Sequence, residues 1–109
     1  LEQAVLDYLQ RRHGAAVAPE QLVHFGGLVP ALSLAGRAFA GPGESLMTCT
    51  PVYPPFLGIH RDGDLGLITI PHVMERDRWS FDWDAMEAGV TPGTRLFILS
   101  QPQNPLGRV

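Results

Sequence analysis

Apolar residues at Leu1, Val5, Tyr8 and Leu9 fall at helical spacing, with Glu2, Gln3, Asp7, Gln10 and Arg11 elsewhere around the cylinder. That pattern predicts an opening helix ended at His13-Gly14, where the glycine would serve as a left-handed cap. Ala18-Pro19-Glu20 reads as loop and Leu22-Val23-His24-Phe25 as a short strand. After Gly26-Gly27 nearly every residue from Leu28 to Ala40 is apolar, and the exceptions Ser33 and Arg37 share one stripe. Pro30 suits the first turn of a helix, where its missing N–H costs nothing. A helix buried on most sides is expected there.

Gly41-Pro42-Gly43 stops that helix, and Ser45 to Cys49 reads as a second strand. Thr50-Pro51-Val52-Tyr53-Pro54-Pro55 is a rigid loop, with a short helix over Phe56 to Arg61. Asp62-Gly63-Asp64 turns into a third strand, Leu65 to Ile70, which Pro71 ends. Residues 72–82 are expected to be irregular. Asp82 then caps a short helix that includes Trp83, Ala85, Met86 and Ala88. Thr91-Pro92-Gly93 leads into a fourth strand, Arg95 to Leu99. Strands alternating with helices predict an α/β fold: a mostly parallel sheet with flanking helices. Ligands of such sheets sit at the carboxyl ends of the strands. Here those ends lead into Gly26-Gly27, into Thr50 to Tyr53, and into Gln101 to Asn104.

Composition removes several function classes. With 109 residues the chain is of single-domain size, and a net charge of −3 gives no basic field for nucleic acid or an anionic membrane. No apolar run reaches the roughly 20 residues of a membrane span, and no signal-peptide pattern opens the chain. The lone cysteine, Cys49, fits a reducing compartment, so a cytoplasmic protein is expected. All eight basic residues are arginines (Arg11, Arg12, Arg37, Arg61, Arg76, Arg78, Arg95 and Arg108), so no lysine amine of these residues can do chemistry. The chain begins at Leu1 within a helical pattern and ends at Val109 in a turn; both ends read as cuts in a longer sequence.

Three loops carry candidate chemistry. A glycine turn feeding a helix start presents free backbone N–H groups and the positive end of the helix dipole, which suits phosphate. A tight strand-to-helix turn would need the same glycines, and neither GxGxxG nor a Walker lysine is present. Tyr53, wedged among Pro51, Pro54 and Pro55, is a pre-organised ring fit for stacking on a flat ligand, or a tyrosine that packs its loop. The Asn104 amide can donate to a phenolate or carboxylate, or bond its own turn. Other candidates have plainer readings. His13, His24, His60 and His72 lack ligand spacing, Cys49 reads as a buried inert thiol, and Ser33 has no evident base. Asp62, Asp64, Glu75, Asp77, Asp82 and Asp84 read as solvated loop and cap residues, and Trp79 and Trp83 as packing.

Taken in order, "GGLVPALSLAGRAFAGPGESLMTCTPVYPPF" and "LFILSQPQNPLGRV" resemble the class I/II (fold type I) pyridoxal-phosphate (PLP) aminotransferases, most of all their cystathionine β-lyase, or C–S lyase, branch. The resemblance covers essentially the whole chain. It implies that residues 1–109 are the N-terminal portion of the large PLP-binding domain, a three-layer α/β/α unit, with the small domain absent. It implies that Gly27, Leu28 and Val29 bind the cofactor phosphate through backbone N–H groups and that Tyr53 stacks on the pyridine ring. Asn104 would bond the phenolic oxygen and help hold the substrate carboxylate.

The family's Schiff-base lysine, its pyridine-pairing aspartate and its carboxylate-binding arginine lie further along its sequence. These 109 residues alone are therefore expected to be inactive. In the whole protein the resemblance implies an enzyme acting on amino acids, as a homodimer. A C–S β-lyase would release thiol, pyruvate and ammonia; the alternatives are an ordinary aminotransferase and a non-catalytic PLP-fold regulatory domain. One departure bears on this choice. Members of the branch usually carry Cys-Asn-Pro-His-Asn-Pro where this chain has Ser100-Gln101-Pro102-Gln103-Asn104-Pro105, so Gln101 replaces the first asparagine while Asn104 is retained.

Overall fold

A computed structural model describes residues 1–109. The opening helix α1 spans Glu2–His13, and Gly14 caps it in the left-handed conformation at φ 65°. The Gly14 and Ala15 amides close the last turn on the Gln10 and Leu9 carbonyls. A 3-10 turn, Pro19–Gln21, is the main contact of this helix.

Helix α2 spans Leu28–Phe39 with Pro30 in its first turn. Strand β1 follows at Ser45–Thr50, and two 3-10 turns, Pro54–Leu57 and Ile59–Gly63, lead to strand β2 at Gly66–Pro71. A hairpin of β3 (Val73–Glu75) and β4 (Arg78–Ser80) precedes helix α3 (Trp83–Gly89) and strand β5 (Thr94–Ile98).

The sheet order is β2-β1-β5, with both pairings parallel. β1 is central and buried along Leu46–Cys49, as a parallel strand covered on both faces must be. Side chains alternate across a strand, so Leu46 and Met47 enter different layers. Leu46 joins Val52, Phe56, Ile59, Leu65 and Ile98 beneath α2 and the 3-10 turns. Met47 and Cys49 join Ile70 on the other face, where Phe81, Ala85 and Met86 close over them. The layers are thus helix, sheet and helix, as the alternation of elements predicted. Close approach of α2 depends on Gly36: a Cβ there would stand 3.1 Å from Ile59 Cγ2 and 3.7 Å from Leu46 Cδ1.

Three sequence expectations are corrected. Leu22 to Phe25 form no strand. Within residues 1–109 no strand pairs with the segment, and Val23 is 71% exposed there. Helix α2 is not buried on most sides: only Gly36 is buried, and Leu28 and Phe39 are 72% and 65% exposed. Within residues 1–109 its main contact is the 3-10 turn Ile59–Gly63, which covers only one stripe of it. Residues 72–82 are not irregular. Arg76 and Asp77 take left-handed conformations at φ 49° and 60°, which lets a two-residue turn pair Glu75 with Arg78.

Asp82 caps α3 as expected, its Oδ1 accepting from the Ala85 amide at 2.9 Å. Trp83, expected to pack, is instead exposed at the start of that helix.

Candidate functional site

The carboxyl ends of β1 and β5 are neighbours in the sheet, and each opens into a proline-rich loop. Tyr53 stands three residues beyond β1, just ahead of the Pro54–Leu57 turn. Its ring meets the buried Phe56 edge to face, with centroids 6.5 Å apart at 73°, and remains substantially exposed. Asn104, on the loop beyond β5, is also exposed. Neither side chain is consumed by a hydrogen bond within the chain.

What joins the two loops is the residue between them. The Gln103 side chain is only 5% exposed; its Nε2 donates to the Pro51 carbonyl at 2.8 Å and its Oε1 accepts from the Leu106 amide at 3.2 Å. Its backbone N–H donates to Arg108 O and its carbonyl accepts from Gly107 N, both at 2.7 Å. On the other side of the Tyr53 loop, His72 reaches the Thr50 carbonyl through its backbone N–H at 2.7 Å and its Nδ1 at 2.9 Å. Within β1 itself, Thr48 Oγ1 donates to Ile98 O of β5 at 2.9 Å, fastening the two strands just below their loops.

Sequence reasoning missed Gln103 and His72. Each was visible only as a polar residue beside a proline, and its partner is remote in sequence. His72 proves to be a core histidine, while His13 and His24 are exposed. Behind the two loops lies a cavity of about 230 Å³ lined by His72, Gln101, Gln103 and the hairpin residue Trp79. Arg108 closes one side of it by donating to the Trp79 carbonyl at 3.2 Å.

The third candidate wall is the start of α2. Gly27 is its N-cap, with no side-chain cap, and the first intrahelical bond runs from the Ala31 amide to the Gly27 carbonyl. The Leu28 and Val29 amides therefore precede the helical ladder, as the first donors of a helix do. No strand precedes this turn, contrary to the expectation, and no hydrogen bond ties it to the Tyr53 or Asn104 loop. Nor does the turn need its glycines for folding. Gly27 is extended, a Cβ on Gly26 would meet nothing within 4 Å, and one on Gly27 would make only ordinary contact with Pro30 at 3.5 Å. The space before these amides is open.

Remaining titratable groups add no competing centre. Burial raises the pKa of the Cys49 thiol, which keeps it protonated and inert at neutral pH, as expected of it. No group of three or more histidine, cysteine or carboxylate side chains is placed to hold a metal ion. No helix is long and apolar enough to cross a membrane.

Known proteins are similar to this chain in sequence and in fold. Cystathionine β-lyase PatB of Bacillus subtilis is 34% identical over 108 residues, which span 98% of this chain and 28% of PatB. Arginine–pyruvate transaminase AruH of Pseudomonas aeruginosa is 27% identical over 107 residues, or 98% of this chain and 27% of AruH. Among solved structures, cystalysin from Treponema denticola, which contains a pyridoxal 5′-phosphate cofactor, superposes with a TM-score of 0.92 at 25% identity. That match covers 99% of this chain and 28% of cystalysin. The chain thus spans a little over a quarter of the length of the relatives it matches. The sequence profile of aminotransferase class I and II matches residues 1–109 from end to end, and the chain belongs to that family.

Proposed function

We propose that residues 1–109 are the N-terminal portion of the large PLP-binding domain of an enzyme that acts on amino acids, with C–S β-lyase as the activity. The observation that carries this reading is the pairing of an exposed ring and an exposed amide, Tyr53 and Asn104, on adjacent parallel strand ends locked together through Gln103. The residues fit the cofactor. Tyr53 offers a ring face held by Phe56, and the Leu28 and Val29 amides beside Gly27 offer unpaired donors to a phosphate at the positive end of α2. The glycines at 26 and 27, which the fold itself does not require, keep that approach clear.

Bound there, PLP supplies an electron sink for breaking bonds at the amino-acid α-carbon. The chain's own residues bind and orient. Asn104 would hold the cofactor's phenolic oxygen through its side-chain amide and help hold the substrate carboxylate, and Tyr53 would offer its ring to the cofactor ring. Moving the α-proton needs a lysine. Because these residues contain none, it must come from outside them, and the 109 residues alone are inactive.

In the lyase reaction the Cβ–S bond of the substrate breaks, the sulfur leaves as a thiol, and the three-carbon remainder is hydrolysed to pyruvate and ammonia. The relatives PatB and cystathionine β-lyase of Corynebacterium glutamicum support this outcome. Gln101 in place of the branch's asparagine, together with the likeness to transaminases, favours ordinary transamination as the second reading. The whole protein is proposed to be a cytoplasmic homodimer.

The test uses the full-length protein. Pyruvate release from cystathionine should exceed transamination of any amino-acid and keto-acid pair, and the reverse order would replace the lyase reading by the second. Tyr53→Ala and Asn104→Ala should each weaken PLP retention and shift the visible absorbance of the bound cofactor. Unchanged retention and absorbance in both would defeat the cofactor site itself.

A further inference from the structure

We infer that Gln103 is a positioning residue, which sets the distance and angle between Tyr53 and Asn104 and so tunes the bound cofactor without touching it. The inference rests on the cofactor reading above and extends it to a buried residue whose side chain is bonded within the protein.

The position demands a specific chemistry. At one end of the side chain the Pro51 carbonyl needs a donor, and at the other the Leu106 amide needs an acceptor. An uncharged group that carries both a donor and an acceptor meets both, and glutamine has the length to do so. Glutamate would bring a buried charge and no donor, leucine neither function, and serine too short a reach. Pro51 lies two residues before Tyr53 and Gln103 immediately precedes Asn104, so one amide fixes both loops across 52 residues of chain. His72 holds the adjoining Thr50 carbonyl through two donors, so the Tyr53 loop is secured at successive peptides. Displacing a positioned group by about 1 Å can cost roughly 100-fold in rate, which gives this hidden bond its leverage.

The test compares variants of the full-length holoenzyme. Gln103→Met keeps volume but removes both side-chain bonds; by displacing Asn104 it should weaken PLP retention about tenfold, the equivalent of that one hydrogen bond to the cofactor, and change the circular dichroism of the bound cofactor. Its kcat should fall more than its KM rises. In an Asn104→Ala background the same substitution should add little, because both act on one contact. Gln103→His retains a ring N–H for the Pro51 carbonyl and should keep the native dichroism.

Normal dichroism and retention in Gln103→Met, or effects fully additive with Asn104→Ala, would overturn the inference. If Gln103→Met does not fold, Gln103→Asn decides, since its shorter amide cannot span the Pro51 carbonyl and the Leu106 amide together: shifted dichroism supports the role, and native dichroism overturns it. Should Tyr53→Ala and Asn104→Ala themselves leave the cofactor unchanged, the site reading fails instead, so the two failures are separable.

Discussion

The two walls of the candidate cradle are built on opposite principles. The strand-end wall presents side chains, Tyr53 and Asn104, on loops tied to one another and to the doubly buried strand β1. The helix-start wall presents backbone amides at the head of α2, a helix with one buried residue and no bond to the other wall. Side chains can be precise only when something buried holds them, and Gln103, His72 and Thr48 supply that hold. Backbone donors are already oriented by the helix they begin, so their wall needs little support. Substitutions should therefore affect the two walls differently.

The largest expected difference is in stability. Leu46 lies in β1, the strand that carries the strand-end wall, packed among Val52, Ile59, Leu65 and Ile98, and is almost fully buried. Leu46→Ala should cost about 2–5 kcal/mol through lost burial and the cavity left behind. Leu34, 49% exposed on α2, should cost under about 0.5 kcal/mol when changed to alanine. Denaturant midpoints of the full-length variants measure both. Comparable losses would mean that α2 is as firmly packed in the whole protein as β1, and the contrast between the walls would disappear.

The second difference concerns the ligand. Leu28→Pro removes one amide donor at a helix position where proline fits, and Gly27 before it is already extended, as a residue preceding proline should be. Losing one charge-assisted bond to phosphate, about 1.5 kcal/mol at the low end, should weaken PLP retention about tenfold. Leu28→Ala, which changes only an exposed side chain, should leave retention within about twofold, since a surface side chain away from a contact contributes little. Equilibrium dialysis of PLP against the two variants distinguishes them. Equal effects would show that the wall works through the leucine side chain and not through its backbone.

Much of the fold was legible because its signals are local. The Gly41-Pro42-Gly43 and Thr91-Pro92-Gly93 breaks, the β-rich run of β1 and the Asp82 cap each act within a few residues and lie where they were expected. Leu22 to Phe25 misled because a strand is made by its neighbour, and residues 1–109 supply no adjacent strand to them. The apolar run of α2 reported composition, whereas burial depends on what is packed against it. The exposed residues of the candidate site, Tyr53 and Asn104, were proposed from proline context and resemblance. The buried amide that joins their loops could not be proposed that way, because its partner lies 52 residues away.

A smaller effect marks the far end of the same strands. Glu44 binds the Gly41 amide through Oε2 at 2.8 Å and pairs with Arg95 at the start of β5, opposite the cradle. The Gly41 amide first, and the Arg95 guanidinium next, lower its pKa below the ordinary value of 4.5. A carboxylate depressed in the folded state contributes stability above its unfolded pKa and loses it as pH falls through the folded value. Glu44→Gln should therefore flatten the decline of stability below pH 4.5 while leaving PLP retention at neutral pH unchanged. Urea titrations between neutral and acid pH check the first point. A retention change at neutral pH would show that the two ends of the sheet are coupled.

The smallest expected effect tests the hairpin that backs the strand-end wall. Its turn uses Arg76 and Asp77 at positive φ, where glycine and asparagine are the usual choices, which is why the sequence concealed it. Aspartate tolerates the left-handed region better than most residues, at some cost, and glycine removes that cost while adding unfolded-state entropy. Asp77→Gly should leave a net gain of about 0.5 kcal/mol, since the steric relief slightly exceeds the entropic penalty. Trp79 of β4 meets Arg108 through its carbonyl, and Arg108 in turn closes the Gln103 turn. A firmer hairpin should accordingly slow amide exchange at Gly107, whose N–H is held by the Gln103 carbonyl. If Asp77→Gly raises the denaturation midpoint and leaves Gly107 exchange unchanged, the hairpin is an independent unit and the strand-end wall is held by Gln103, His72 and Thr48 without it.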